Sequence, residues 1–398
     1  MKLSRTLVAA SIALGFGMAS AHAAAPVKIG FITDMSGVYS ALDGPGGEAA
    51  IKMAIKDFGG TVLGRKIELM TFDHQNKPDL AAGKAKEYFT QDGVDMLVAG
   101  TNSATAIAME RVAGQYRKPM FDVGGGSSAI VGKMCNPYTV MYAYNTTALA
   151  RGTAAAIVKK GGKKWYFLTA DYVFGKSLES DAAKVVKANG GEVVGQVYAP
   201  LASSDFSSYL LQAQASKAQV LGLANAGGDS VNSIKQATQF GVTKTMKLAG
   251  LLLFLTDIHS IGLQSAQGLY LTTPWYWNQD PASRAWSKRF YAQMHAMPTF
   301  AQMGDYSAVT TYLKAVKAAG TTDSAKVMAE LHKMKVNDDF MHGGYLAPNG
   351  LMIHDMYLAQ VKTPAQSKED WDYYNIVQKI PGADAFGPIA DYGCPMVK

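Results

Sequence analysis

The stretch Met96–Ser128, MLVAGTNSATAIAMERVAGQYRKPMFDVGGGSS, indicates the fold of this chain. It holds an apolar run, the hydroxyl-rich loop Gly100–Ser103, a helical spacing of apolar residues, a second apolar run and the glycine loop Gly124–Ser128. This order predicts one strand–helix–strand unit. Because such crossovers are right-handed, both loops should open at the carboxyl edge of a parallel sheet, where open α/β sheets bind ligands.

The two loops supply donors that suit an anion. GTNS places hydroxyl and amide side chains at the start of a helix, and GGGSS offers backbone N–H groups with no side chains in the way. Together they predict a cradle for a carboxylate, with contacts from Asn102, Ser103, Gly125, Gly126 and Ser127. The alternative is two ordinary loops whose serines and glycines only cap helices and turn the chain.

The N-terminus has the pattern of a secretory signal peptide over residues 1–23. Lys2 and Arg5 precede the apolar run Leu7–Met18, and Ala21-His22-Ala23 resembles a cleavage site. No later apolar run is long enough to span a membrane, and no cysteine near the cleavage site is placed for lipidation. We therefore expect an exported, periplasmic protein without stable membrane insertion.

Composition narrows the class of protein further. The 398 residues are 48% hydrophobic and 17% charged, which suits two globular lobes and excludes a disordered chain. The formal charge of +7 is dispersed, and no basic cluster contains interleaved aromatics, so we expect no nucleic-acid partner. In an exported protein the two cysteines, Cys135 and Cys394, predict a disulfide that ties the C-terminal tail to the body, with two buried free thiols as the alternative.

Alternating strand and helix patterns occur twice along the chain, which predicts two doubly wound α/β lobes. The helices after the aromatic run Pro274–Trp277 should return to the first lobe, and a strand at Met352–Val361 should belong to the second. Several crossings between lobes would make a hinge. The expected limits are 26–143 and 273–348 for lobe 1, 144–272 and 349–390 for lobe 2, and 391–398 for a tail returning to lobe 1.

Catalytic and cofactor motifs are missing from the sequence. There is no G-x-S-x-G, H-E-x-x-H or C-x-x-C, and the histidines show no spacing typical of metal ligands. Gly44–Gly47 is only a fragment of a dinucleotide fingerprint, with no acidic residue to complete it. We therefore expect neither enzyme activity nor a metal or cofactor.

Eight segments in order resemble the periplasmic solute-binding proteins of ABC importers, in the branched-chain amino-acid-binding (type I) group. These segments are KIGFITDMSGVYSALDG, VDMLVAGTNSATAIA, KPMFDVGGGSS, WYFLTADYVFGKS, SDFSSYLLQAQ, NSIKQATQFG, GLYLTTPWYW and YSAVTTYLKAV. The resemblance implies two α/β lobes joined by a three-crossover hinge, a ligand clamped between them, and delivery to a membrane permease. It also implies that Ser103 and Gly125–Ser127 hold the ligand carboxylate. We expect a monomer.

The sequence departs from the amino-acid binders of this group at two places. They carry an acidic residue after the strand matching Lys247–Gly250, and this chain has Leu251–Phe254 instead. An ammonium group buried without a countercharge costs several kcal/mol, which disfavours an amino acid unless Asp229 or Asp257 serves as its partner. In place of the bulky tyrosines of some members stand Ala226-Gly227-Gly228, which leave room for a flat apolar body.

These departures favour an aromatic acid of the benzoate, hydroxybenzoate or hydroxycinnamate type, as in the aromatic-acid subgroup of the family. The remaining predicted contacts are Tyr39 at the mouth, then Tyr172, Phe174, Ala226, Leu252 and Phe254 from the second lobe, and His259 as a donor to a phenolic group. Core packing is the alternative for Tyr172 and Phe174, and a structural role is the alternative for His259. A branched-chain amino-acid binder and a periplasmic ligand sensor for a signalling receptor are the alternative functions.

Overall fold

The computed structural model describes residues 25–397, so the predicted signal peptide lies outside the described part of the chain. The first elements are β1 (Val27–Thr33), α1 (Gly44–Asp57), β2 (Thr61–Val62), β3 (Arg65–Asp73), α2 (Pro78–Glu87), a π-helical turn (Tyr88–Asp92), β4 (Met96–Ala99), α3 (Ser103–Tyr116), β5 (Met120–Asp122) and β6 (Thr139–Met141). Their strands form a six-stranded sheet in the order β2-β3-β1-β4-β5-β6. Apart from β2, which pairs antiparallel with β3, all its pairings are parallel.

The next elements build a second parallel sheet. They are α4 (Thr146–Lys159), β7 (Lys164–Ala170), α5 (Val173–Ala188), β8 (Glu192–Ala199), α6 (Ser207–Ala215), β9 (Val220–Ala224), α7 (Gly228–Gln239), β10 (Lys247–Gly250), α8 (Leu255–Ile261), α9 (Leu263–Ala266) and β11 (Tyr270–Thr273). Four strands pair in the order β10-β9-β7-β8. Every residue of β4 in the first sheet and of β9 in the second is buried, because helices cover both faces of each sheet.

The C-terminal elements return to both sheets. They are α10 (Pro281–Met294), α11 (Phe300–Ala319), α12 (Ser324–Leu331), β12 (Val336–Asn337), β13 (His342–Leu346), β14 (Met352–Ile353), β15 (Met356–Val361), β16 (Tyr374–Ile380) and α13 (Gly382–Phe386). Helix α11 packs on α1, as expected for a return to the first lobe, while β15 pairs antiparallel with β11 beside α4. The predicted two-lobed α/β fold is confirmed, and the exact residue limits of the lobes stay a prediction.

The single strand predicted at Met352–Val361 is wrong, since the chain changes sheet within it. Met352–Ile353 pairs with β13, whereas Met356–Val361 pairs with β11 and β16. The break falls at His354, whose buried ring nitrogens lie 3.0 Å from the Ala143 carbonyl oxygen and 2.9 Å from the Asp355 carbonyl oxygen. The imidazole therefore links two segments at which the chain passes between the sheets.

The disulfide between Cys135 and Cys394 is confirmed, with a Cα–Cα distance of 5.8 Å. It fixes the C-terminal tail beside the segment that follows β5. Tyr392 adds to this attachment, because its hydroxyl donates to the Phe386 carbonyl oxygen (2.7 Å) and accepts from the Asn145 amide (3.0 Å).

A buried carboxyl group in the first lobe makes stability depend on pH. Glu110 of α3 has no exposed surface, and burial together with the nearby Asp122 raises the pKa of its carboxyl to about 9. The folded protein thus keeps a proton that the unfolded chain releases near pH 4.5. The resulting stabilisation is complete below that unfolded pKa and is lost as the pH rises toward 9.

We expect the free energy of unfolding of the wild-type protein to fall between pH 7 and pH 9. For one proton the fall is up to about 2 to 3 kcal/mol, since one pH unit corresponds to about 1.4 kcal/mol. Glu110→Gln should remove this part of the fall, as measured by urea unfolding at each pH. Glu369→Gln, at an exposed glutamate, is the control. An identical pH dependence in Glu110→Gln and the wild-type protein would contradict the assignment.

Candidate functional site

A small cavity lies where the carboxyl edges of the two parallel sheets meet. Its volume is about 10 Å³, room for about one water molecule. Its lining consists of Tyr39, Leu42, Thr101, Asn102, Ser103, Gly124, Tyr144, Tyr172, Phe174, Ala226, Leu252 and Phe254. Eight of the twelve residues predicted from the sequence are therefore brought together around one space.

The first-lobe part of the lining is built on the start of α3. Asn102, at φ 93°, caps this helix, because its side-chain oxygen accepts from the N–H groups of Ala104 (2.8 Å) and Thr105 (3.3 Å). The Ser103 Oγ accepts from the Ser127 N–H at 3.0 Å, which joins the GTNS and GGGSS loops. The hydroxyl proton of Ser103 is then available to an acceptor in the cavity.

Hydrogen bonds across the cavity hold the lobes in a closed arrangement. The Tyr39 and Tyr172 hydroxyl oxygens are 2.7 Å apart, and the Gly228 N–H donates to the Val38 carbonyl oxygen at 3.3 Å. Burial raises the pKa of Tyr39 well above its usual value, so its phenol stays a neutral donor.

Further contacts at the cleft involve the glycine loop. The Ser127 hydroxyl donates to the Ser177 Oγ (2.9 Å), and the Ser128 hydroxyl donates to the Asp181 carboxylate (2.9 Å). Since Ser177 and Asp181 are one turn apart in α5, a single face of that helix receives the loop.

Aromatic rings make up much of the cavity wall. Phe254 stacks on Phe300 with ring centroids 4.4 Å apart, and Tyr144 meets the same Phe300 edge-on at 5.2 Å. The Tyr144 hydroxyl donates to the Gly124 carbonyl oxygen (2.9 Å), which leaves its ring facing the space. The wall therefore suits the flat faces of an aromatic or apolar group.

Among residues 25–397, no charged side chain lines the cavity. Asp229 accepts from the Ala202 N–H (3.2 Å), and burial raises its pKa to about 6. Asp257 accepts from the Phe254 N–H (2.9 Å) at the start of α8, and burial raises its pKa to about 7. Both carboxyl groups lie outside the lining and bind backbone amides. Within residues 25–397 no cluster of three or more His, Cys, Asp or Glu is arranged to hold a metal ion.

Three predicted residues of the glycine loop lie behind the lining. The Gly125 N–H donates to the Asp122 carboxylate (2.7 Å), and the Ser127 N–H donates to Ser103 as described above. Gly126 packs against the rings of Tyr144 and Phe174, where an added Cβ would approach them to 2.6 Å and 3.0 Å. In this closed arrangement Gly125, Gly126 and Ser127 support Ser103 and the aromatic wall, and of the glycine loop only Gly124 is among the described residues that border the cavity.

His259 requires a correction to the predicted set, because it lies away from the cavity. Its ring stacks on Trp371, with centroids 4.0 Å apart, and its Nδ1 is 2.7 Å from the Tyr373 hydroxyl. In this structure His259 therefore has the structural role that the sequence analysis gave as the alternative to ligand binding.

Four lining residues were not predicted: Leu42, Thr101, Gly124 and Tyr144. Thr101 and Gly124 belong to the two loops already recognised, and Tyr144 comes soon after the end of β6. All three therefore follow the carboxyl end of a strand, and this position could have identified them from the sequence. No sequence feature pointed to Leu42, since an apolar residue in a long loop is usually explained by core packing.

Gly227 allows the close approach of the lobes. It has φ 58°, and an added Cβ would lie 2.8 Å from the Val38 carbonyl oxygen and 2.9 Å from the Tyr39 ring. We expect Gly227→Ala to destabilise the closed arrangement by about 1 to 3 kcal/mol. Small-angle scattering should then show a larger maximum dimension than in the wild-type protein.

Gly268→Ala is the matched control for this substitution. Gly268 also has a positive φ, 79°, but an added Cβ would meet no atom of residues 25–397 within 4 Å. Both variants share the cost of a left-handed alanine, so only Gly227→Ala should change the scattering. The same scattering curve from both variants would show that Gly227 does not control closure.

No helix within residues 25–397 is both long and apolar enough to cross a membrane. The chain is similar over its whole described fold to solved structures of binding proteins. A periplasmic binding protein from Burkholderia mallei is 59% identical, with a TM-score of 0.93 over 94% of this chain and 99% of that one. A branched chain amino acid ABC transporter periplasmic ligand-binding protein from Burkholderia xenovorans LB400 is 41% identical, with a TM-score of 0.84 over 94% of this chain and 100% of that one.

A more distant structure shares the fold. It is a solute binding protein of an ABC transporter from Rhodopseudomonas palustris BisB5 in complex with 3,4-dihydroxy benzoic acid. It is 24% identical, with a TM-score of 0.81 over 90% of this chain and 98% of that one. The family profile described as periplasmic binding protein matches residues 26–369. With this match, the two sheets and the cleft between them, the chain belongs to the periplasmic binding protein family.

Proposed function

We propose that this chain is the periplasmic substrate-binding component of an ABC uptake system for a small aromatic carboxylate of the benzoate, hydroxybenzoate or hydroxycinnamate type. The observation that supports this proposal is the lining of the interlobe cavity. Among the described residues it combines aromatic rings and hydroxyl groups without a charged side chain. Such a site offers donors to an anion and flat surfaces to a ring. It offers no countercharge to an ammonium group.

Donors for the carboxylate are concentrated at the start of α3. The Ser103 hydroxyl proton is available, and its N–H has no acceptor among the described residues. Both lie at the positive end of a 14-residue helix, which favours an anion by its dipole and its unpaired N–H groups. The neutral phenols of Tyr39 and Tyr172 can donate from the opposite side once they separate from each other.

The body of the ligand would lie between the rings of Phe174, Tyr144 and Phe254. Because the closed cavity holds only about 10 Å³, binding has to begin with the lobes apart. The ligand then replaces the direct Tyr39–Tyr172 contact as the lobes close on it. A ligand that binds the closed arrangement more tightly than the open one stabilises closure. The closed, loaded protein would then present a defined surface to a membrane permease.

A second candidate is a branched-chain or other hydrophobic amino acid. The Burkholderia xenovorans protein, at 41% identity, is described as a branched chain amino acid ABC transporter component, which favours this candidate. Against it, Asp229 and Asp257 lie outside the lining and are bound to backbone amides. An α-ammonium group enclosed without a carboxylate partner would lose several kcal/mol of binding free energy.

A calorimetric screen of the purified protein separates the candidates. We expect benzoate, 4-hydroxybenzoate or a hydroxycinnamate to bind with a Kd of about 0.1 to 10 μM, which corresponds to roughly −9.5 to −7 kcal/mol. Benzamide keeps the ring but has no charge, so it should bind much more weakly. Binding of leucine or valine together with no response to any aromatic acid would reject the proposed ligand class. Chemical conversion of a bound acid would reject a purely binding role.

Ser103→Ala should weaken the aromatic acid found in that screen. Loss of one donor to a buried carboxylate costs about 1 to 3 kcal/mol, which is roughly a 5- to 150-fold rise in Kd. Ser324→Ala is the control, since Ser324 also begins a helix, α12, remote from the cavity. Equal affinity of Ser103→Ala and the wild-type protein in calorimetry would remove Ser103 from the site.

The transport role needs a test in cells. Deletion of the gene should abolish uptake of the labelled acid at low micromolar concentration, and the wild-type gene should restore it. Normal uptake combined with a lost chemotactic or transcriptional response to the acid would instead indicate the sensor alternative.

A further inference from the structure

Two carboxyl groups of the first lobe face each other behind the cavity. Asp43 immediately precedes α1 and Asp305 lies in α11, and neither has exposed surface. A Cβ added at Gly47 would meet both the Asp43 Oδ1 and the Asp305 Oδ2, so the two carboxyl groups lie next to each other. Within the described residues, neither oxygen of Asp305 nor the Oδ1 of Asp43 has a hydrogen-bond partner. Two ionised carboxylates have no donor to offer each other, so these neighbouring oxygens can pair only through a shared proton.

Asp43 connects this pair to the cavity wall. Its Oδ2 accepts from the Thr33 hydroxyl (2.8 Å) and from the Thr101 backbone N–H (3.1 Å). Thr101 lines the cavity and lies two residues before Ser103. The position of the loop that holds Ser103 therefore depends on the Asp43 carboxyl group.

Among the residues that the structure describes, no basic side chain forms an ion pair with either member of the pair. Gly47 of α1 packs so closely on both carboxyl groups that a Cβ there would contact each of them. The other titratable groups acting on Asp43 are Asp34, whose negative charge raises its pKa, and Tyr144. Among residues 25–397 neither carboxyl takes part in an ion pair. Burial and the charge of Asp34 raise the pKa of Asp43, and burial together with the charge of Asp43 raises the pKa of Asp305 well above its usual value.

We propose that Asp43 and Asp305 are positioning residues that share one proton, and that the site binds its anion only while the pair keeps that proton. The inference rests on the proposed function, since it assumes a ligand carboxylate at Ser103. Loss of the proton would bury a second negative charge close to the ligand with no cation to offset it. Ligand binding and proton retention are therefore linked, and affinity falls as the pH rises.

The test is the pH dependence of benzoate affinity, expressed as the ratio of Kd at pH 9 to Kd at pH 6. Benzoate is ionised throughout, because carboxyl groups in water titrate near pH 4. In the wild-type protein we expect a ratio above about 10, with an upper limit of about tenfold per pH unit for one linked proton. Calorimetry in buffers of different ionisation enthalpy should show proton uptake on binding at high pH.

Asp305→Asn replaces the shared proton by an amide N–H and keeps the total charge of the protonated pair. We expect its ratio to fall to about 1 to 3, because the pair in Asp305→Asn has no shared proton left to lose. Asp229 and Asp257 of the second lobe titrate in the same range, but their contribution is the same in both proteins. Glu110→Gln is the control, a buried carboxyl group that does not contact the pair and should leave the wild-type ratio in place.

A flat wild-type profile, or the same ratio in Asp305→Asn and the wild-type protein, would overturn the inference. If Asp305→Asn does not fold, Asp43→Asn keeps an oxygen acceptor for Thr101 and takes its place. If no carboxylate binds at any pH, the proposed function fails, and the pair is judged from the unliganded protein. Its melting temperature should then fall more between pH 6 and pH 9 in the wild-type protein than in Asp305→Asn, and equal falls would reject the shared proton.

Discussion

Two parallel sheets turn their carboxyl edges toward each other, and the hydrogen bond between the Tyr39 and Tyr172 hydroxyls closes the space between those edges. Each sheet alone would leave loop hydroxyls and amides exposed to water. Brought together, these groups satisfy each other, as the Ser127–Ser177 and Gly228–Val38 contacts also show. A ligand must therefore replace hydrogen bonds already made between the lobes. This favours a ligand whose acceptors match the hydroxyl and N–H donors of the cleft.

Neutrality is the second constraint on the cleft. Within the described part of the chain, its lining contains no charged side chain, and the buried carboxyl groups Asp43, Asp229, Asp257 and Asp305 form no ion pair. Buried acids of this kind stay protonated or bind backbone amides, as Asp305 and Asp257 do, because an isolated charge in the interior is too costly. The same arrangement explains why an anion gripped by hydroxyls and a helix terminus fits here better than a zwitterion.

The cavity brings predicted residues together where residue type and strand position agreed. Asn102 and Ser103 follow a buried strand at a helix start, and Tyr172 and Phe174 follow another, so their meeting at one edge could be inferred from topology. His259 illustrates the opposite case. Its stacking on Trp371 depends on a segment more than a hundred residues away, for which local pattern carries no information. The GGGSS loop falls between these cases, since its composition suited an anion but neighbouring groups accept from four of its five backbone N–H groups.

By itself the sequence determined the alternation of strands and helices, the pairing of its two cysteines and the general character of the cleft. These follow from local periodicity, loop chemistry and the small number of ways to connect parallel strands. Only the tertiary structure decided that the chain changes sheet at His354, that Asp43 meets Asp305, and that Ser127 supports Ser103 from behind. Each of these contacts joins residues distant in sequence, and its geometry is set by how whole elements pack.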